Sequence, residues 1–154
     1  MAQPDRETVY AALQTLLQGL LTTASPAGPF VTVTRRFATV SNTPAANMPA
    51  LTQVQFKEHS LTVKGLPTVH TYTVHLLIYC DYGASKTAVP DTTLNGLVTA
   101  VEGALAPNPV NLFQQLGVPV SSVVVNGEIE YANMAGTSGV WGMALIPLEI
   151  VANF

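Results

Sequence analysis

Residues 68–82 constrain the fold more than any other stretch of the chain. Val74, Leu76, Ile78 and Cys80 alternate with Thr73, His75, Leu77 and Tyr79, the period of a β-strand. In its second half both sets are largely apolar. A strand tolerates that when both of its faces are covered, so this one is expected at the centre of a sheet. It is too broken by Thr71, Tyr72, Thr73 and His75 to supply the run of about 18 apolar residues that a membrane helix needs.

The flanking segments supply the rest of a domain. Asp5 caps an expected helix over residues 5–21, with Glu7 in its first turn and Val9, Leu13, Leu16, Leu17 and Leu20 at helical spacing. Residues 22–29 read as a loop and 30–37 as a strand. Residues 41–49 read as irregular, 51–57 as a second strand and 58–67 as a long exposed hairpin connection. After the central strand and a turn-rich link over 81–90, Asp91 or Thr92 caps a second helix. Its stripe is Leu94, Leu97, Val98, Val101 and Leu105, and it stops before Pro107. Residues 110–119 are ambiguous between coil and a short helical turn through Phe113 and Leu116. Residues 120–131 form a fourth expected strand, kinked at Asn126-Gly127. A link follows over 132–139, then a last strand over 140–151. Pro147 cannot donate to a ladder, which places that strand at an edge or beside a bulge.

The order α-β-β-β-α-β-β lacks crossover helices between most strands, which favours antiparallel pairing. The expectation is one α+β domain over residues 1–154, with two main helices on a mostly antiparallel sheet of about five strands.

Composition narrows the function. Charged residues make up 10% of the chain, against roughly 25% in typical domains. Apolar residues make up 48%, so the chain has the hydrophobicity that disorder lacks. Charge depletion is the compositional mark of interface cores. It points to a surface covered by neighbours. The net charge of −3 and six scattered Lys and Arg residues give no basic face for nucleic acid. Asp5, Arg6 and Glu7 stand where a signal peptide would carry its basic flank and apolar run, so none is expected. Cys80, the lone cysteine, reads as a small buried hydrophobe whose thiol pKa rises in apolar company.

A search for chemistry finds no site. His70 and His75 are five apart on a strand and face opposite ways, and His59 lies in a loop, so zinc-ligand spacing is missing. Gly136-Thr137-Ser138-Gly139 lacks the spacing of a hydrolase elbow. No phosphate-binding glycine loop occurs. Glu128 and Glu130 share one strand face and read as its solvated side. No catalytic, cofactor-binding or metal-binding residue is therefore expected, and no cofactor.

The order of short motifs carries a resemblance. It runs through Val9-Tyr10-Ala11-Ala12-Leu13, Pro29-Phe30-Val31-Thr32-Val33-Thr34-Arg35-Arg36, Pro49-Ala50-Leu51 and Gly65-Leu66-Pro67. It continues through Leu105-Ala106-Pro107, Gly127-Glu128-Ile129-Glu130 and Ala144-Leu145-Ile146-Pro147-Leu148-Glu149-Ile150. The chain resembles the tail terminator or tail completion proteins of tailed bacteriophages. The resemblance implies an α+β subunit of a hexameric ring in the virion, assembled in the host bacterial cytoplasm. Such a ring caps the tail tube, meets neck or head-completion proteins, and lets genomic DNA pass without reading it. It implies no catalytic residues and no membrane association. Another ring protein of the neck or tube is the near alternative, and a small-molecule binding domain or enzyme the distant one.

Candidate interface residues are Arg35, Arg36, Lys57, Lys64 and Trp141. Tryptophan and arginine are common interface anchors, and the two lysines ride on the 57–67 connection. The sequence leaves open a core position for Trp141, and a salt bridge from Arg35 or Arg36 to Glu128 or Glu130.

Overall fold

A computed structural model describes residues 5–83, 90–107, 116, 122–136 and 139–153. Helix α1 spans Arg6–Gln18. It starts at Asp5, whose side chain accepts the Thr8 backbone N–H at 2.8 Å, a bond that holds the Asp5 carboxyl below its ordinary range. The helix ends earlier than the expected residue 21, at Gly19, whose N–H turns back to the Leu16 carbonyl while the Leu20 N–H bonds to that of Leu17.

Strand β1 (Thr32–Thr34) is shorter than the expected 30–37. The Arg36 N–H bonds to the Thr34 hydroxyl at 3.0 Å and turns the chain away. Residues 35–49 then run as a strap holding two single 3₁₀ turns, Val40–Asn42 and Ala45–Asn47. The remaining elements are β2 (Ala50–Leu61), β3 (Val69–Asp81), α2 (Pro90–Ala104), β4 (Ser122–Val125), β5 (Glu130–Gly136) and β6 (Gly139–Asn153). Residues 84–89, and 110–119 apart from Leu116, lie outside the described residues, so the expected turns there are not placed.

The fold is α+β. Six strands form one sheet in the order β1-β2-β3-β6-β4, with β5 also pairing β6. Only β1 with β2 is parallel; every other pair is antiparallel. The sixth strand arises because the expected fourth strand breaks at Asn126-Gly127, and its second part pairs on through the stretch expected to be a link, to Gly136 opposite Gly139.

Pro147 has no ladder partner on one side, as an edge position there requires, although its strand is not at the edge of the sheet. Its strand, β6, is central, between β3 on one side and β4 and β5 on the other. The β4 ladder ends at Leu148 and the β5 ladder begins at Leu145, so Pro147 faces the gap between them. The Asn126 N–H donates to the Pro147 carbonyl at 3.0 Å. A strand residue presents its nitrogen and carbonyl to the same side, so the missing donor points at the gap, where no ladder bond is lost. Gly127 adopts φ 123 there, and a Cβ on it would sit 3.1 Å from Pro147 Cγ.

Both helices pack on one face of the sheet. Tyr72, Val74, Leu76, Ile78 and Cys80 of β3 meet Ala144, Ile146, Leu148, Ile150 and Ala152 of β6, under Val9, Leu13 and Leu17 of α1 and Leu94, Leu97 and Val101 of α2. Cys80 is buried in this layer and burial pushes its thiol pKa up. The other face carries a second, small cluster of Met48, Ala50 and Tyr79 beneath the strap. Beyond it that face has no helix among the described residues.

Tyr72 is fully buried with its ring edge-on to Tyr10, centroids 5.5 Å apart, and its hydroxyl has no hydrogen-bond partner among the described residues. A buried polar group without a partner is destabilising. Tyr72→Phe is therefore expected to leave stability unchanged or raise it by up to about 1 kcal/mol. Urea unfolding measures this, and a clear loss would mean that the hydroxyl has a bonding partner in solution.

Candidate assembly surface

Arg35 is held inside the subunit. Its guanidinium forks onto the Glu7 carboxylate, Nη2 to Oε2 at 3.1 Å, and lies 5.9 Å over the Tyr10 ring. Neither Glu128 nor Glu130 is its partner. A second knot joins α1 to the hairpin: Arg6 Nε meets Glu58 Oε2 at 2.7 Å, and His70 Nδ1 lies 3.1 Å from Glu58 Oε1 and 2.9 Å from the Ser60 hydroxyl. Together these pairs tie the start of α1 to β2, β3 and the chain just after β1.

Arg35 lowers the Glu7 pKa and Arg6, followed by His70, lowers that of Glu58. A carboxyl depressed in the fold makes the unfolded chain bind more protons. The stabilisation is then present above the ordinary carboxyl pKa and lost as pH falls through the folded value. The thermal midpoint is expected to drop on acidification below about pH 4.5, and Glu58→Gln to make that drop shallower. An identical acid limb in the variant would remove Glu58 from the account.

The other candidates are spread over the sheet. Arg36 is exposed and borders a small polar hollow with Thr32, Thr34, Asn42 and Thr43. Lys57 follows the irregularity in the β2–β3 ladder between Gln55 and Lys57, and its ammonium lies 5.7 Å over the Phe56 ring. Lys64 is exposed in the turn between β2 and β3. Trp141 pairs with Asp81 across the β3–β6 ladder and is partly buried, between the two roles that the sequence left open. The structure does not gather these five into one cluster.

Several surface features lie outside the five candidate residues. Phe56 is 59% exposed on the uncovered face, stacked on His75 at 4.2 Å. β2 runs four residues past the expected 57, so the 58–67 connection shrinks to a turn at the end of a long hairpin. At its tip Leu61, Val63 and Leu66 are 53%, 46% and 65% exposed and line an apolar hollow with Pro67 and Val69. Alternating Leu61 and Val63 was the available clue; Glu58, His59 and Ser60 masked it.

A shallow polar cleft on the uncovered face is lined by Lys57, His59, Thr71, Thr73, Asn126 and Glu149. Asn126 Nδ2 donates to Glu149 Oε2 at 2.8 Å. Glu128 falls in the break between β4 and β5 and Glu130 opens β5, both exposed. Among the described residues no group of three or more His, Cys, Asp and Glu is placed to hold a metal ion, and no helix is long and apolar enough to cross a membrane.

No family model and no curated protein matches the chain. A solved structure that carries no functional name is similar in fold, with a TM-score of 0.54 over 95% of each chain at 17% identity. At that identity the likeness concerns the fold alone.

Proposed function

We propose that this chain is a structural subunit of a bacteriophage tail, a terminator whose ring caps the tail tube and joins it to the neck. The observation that carries the reading is the one-sided sheet. Helices cover one face, while the other face and the hairpin tip present large apolar groups to solvent. Exposed apolar groups gathered this way mark contact surfaces. A charge content of 10% fits a skin that neighbours cover. The ring closes by contacts between copies, the hairpin reaches along the axis toward the tube protein, and the opposite side meets the neck or head-completion protein. DNA slides through an acidic ring without being held, because it finds few cations to neutralise its phosphates. The work is done by shape, with no catalytic step and no cofactor.

The polar cleft beside Lys57 favours a second reading, a small-molecule binding domain. Native mass spectrometry at micromolar concentration separates the two. A terminator is hexameric, or becomes so on tube ends. A binding domain stays small and is stabilised by its ligand. Electron microscopy of tails made without the protein gives the decisive view: tubes of uncontrolled length or heads that fail to join support the terminator, and normal virions sink it.

A further inference from the structure

Two groups of unpaired charge lie at opposite edges of the sheet, with Asp81 of β3 and Glu149 of β6 between them. Arg6 and Arg35 are taken up by Glu58 and Glu7, and Asp5 by its capping bonds to Thr8. Of the other described cations, Arg36 and Lys57 lie on the β1–β2 side and Lys64 in the turn between β2 and β3. β1 covers β2 only from Ala50 to Thr52, so Lys57 stands on an edge of the sheet. At the far edge, Glu128 lies between β4 and β5 and Glu130 opens β5, both exposed and without an ion-pair partner among the described residues. Glu149 lies inward on β6, bonded to Asn126.

Register places the end of β1 and the start of β5 on one row. Thr34 pairs with Thr52, Thr52 with Leu77, Leu77 with Leu145 and Leu145 with Glu130, a single row across five strands. Arg36 follows the β1 end of this row, and Glu128 precedes its β5 end. A second row runs from Lys57 through Thr73 and Glu149 to Val124 of β4. Four strand spacings separate the edges, about 19 Å, far beyond a salt bridge. Arg36 cannot reach Glu128 or Glu130 of its own chain, but it can reach those of another copy.

We propose that the Arg36 and Lys57 edge of one copy docks on the Glu128 and Glu130 edge of the next, head to tail. This deepens the ring reading above and rests on it. Two different patches that meet form a heterologous contact, which generates a ring when the rotation between copies closes. With charges so sparse elsewhere, these groups set the direction in which copies add.

Charge reversal tests it by native mass spectrometry and sedimentation. Arg36→Glu with Lys57→Glu makes both edges acidic; Glu128→Lys with Glu130→Lys makes both basic. Each double variant is expected to associate about 10-fold or more weakly than the unaltered chain, with its circular dichroism spectrum kept because all four residues are exposed. Mixed one to one, the two variants are expected to assemble again, in alternating rings with an even number of subunits. All four substitutions in one chain are expected to restore assembly of that chain alone. Assembly of either double variant at the unaltered level, or folded variants that stay apart when mixed, would overturn the edge assignment while leaving the ring. An unaltered chain that remains monomeric on its own and on tube ends would overturn both.

Discussion

Alanine at position 28 is expected to destabilise the fold by about 3 kcal/mol, lowering the thermal midpoint by about 10 °C in a domain of this size. A Cβ on Gly28 would fall 2.1 Å from the Leu20 carbonyl oxygen, 2.3 Å from its carbon and 2.5 Å from its Cα. These are backbone atoms, which cannot swing aside as a side chain can. The same Leu20 carbonyl accepts the Phe30 N–H at 3.0 Å, and the Gly28 N–H bonds to the Leu21 carbonyl at 2.9 Å. Relieving the clash therefore opens the bonds that close residues 20–30 into a loop. Phe30, fully buried in the core, loses the restraint that holds it there. Differential scanning calorimetry gives the midpoint, and hydrogen exchange at the Phe30 amide localises the opening. A midpoint within about 2 °C of the unaltered protein would mean that the loop shifts as a unit without breaking these bonds.

Nothing about Gly28 stood out in the sequence, where it was one small residue among the prolines of a loop. The difference marks what was legible. Periodicity located β3, α1 and α2 because each buries one regular stripe, and a stripe is a local pattern. The cap at Asp5 was legible because its partner is three residues away. β1 is shorter than the expected 30–37: its β-branched run ends at Thr34, and the Arg36–Thr34 contact that turns the chain there is a matter of geometry. The break at Asn126-Gly127 was visible, yet the strand beyond it was not. Alanine, asparagine and glycine in residues 132–136 look like a loop until β6 pairs with them. For the candidate surface, the expected ion-pair partner of Arg35 is not the one found. Arg35 found Glu7, 28 residues away in sequence, and not Glu128 or Glu130. Which acid meets which base depends on strand order, and strand order is not written in any short window.

Leu61→Ser with Leu66→Ser is expected to leave the subunit folded and to abolish its joining to tube ends. The two leucines are 53% and 65% exposed, so most of each side chain already faces water and contributes little to the core. Substitution at such positions changes stability by about 0.5 kcal/mol or less apiece. The hairpin below them is anchored independently: β2 and β3 pair from Ala50 to Leu61, and Glu58 ties the hairpin to Arg6 and His70. What the serines remove is the apolar tip that would be buried against a partner. Burying a leucine side chain is worth about 1.5–3 kcal/mol, so losing two from one contact weakens it by about 100-fold or more, and the proposed ring would repeat the loss at every copy. Pull-down of purified tail tubes and negative-stain counts of capped ends measure the effect, with the thermal midpoint as the control for folding. Capping that persists in the folded double variant would take the hairpin tip out of the tube contact and leave the uncovered sheet face to make it.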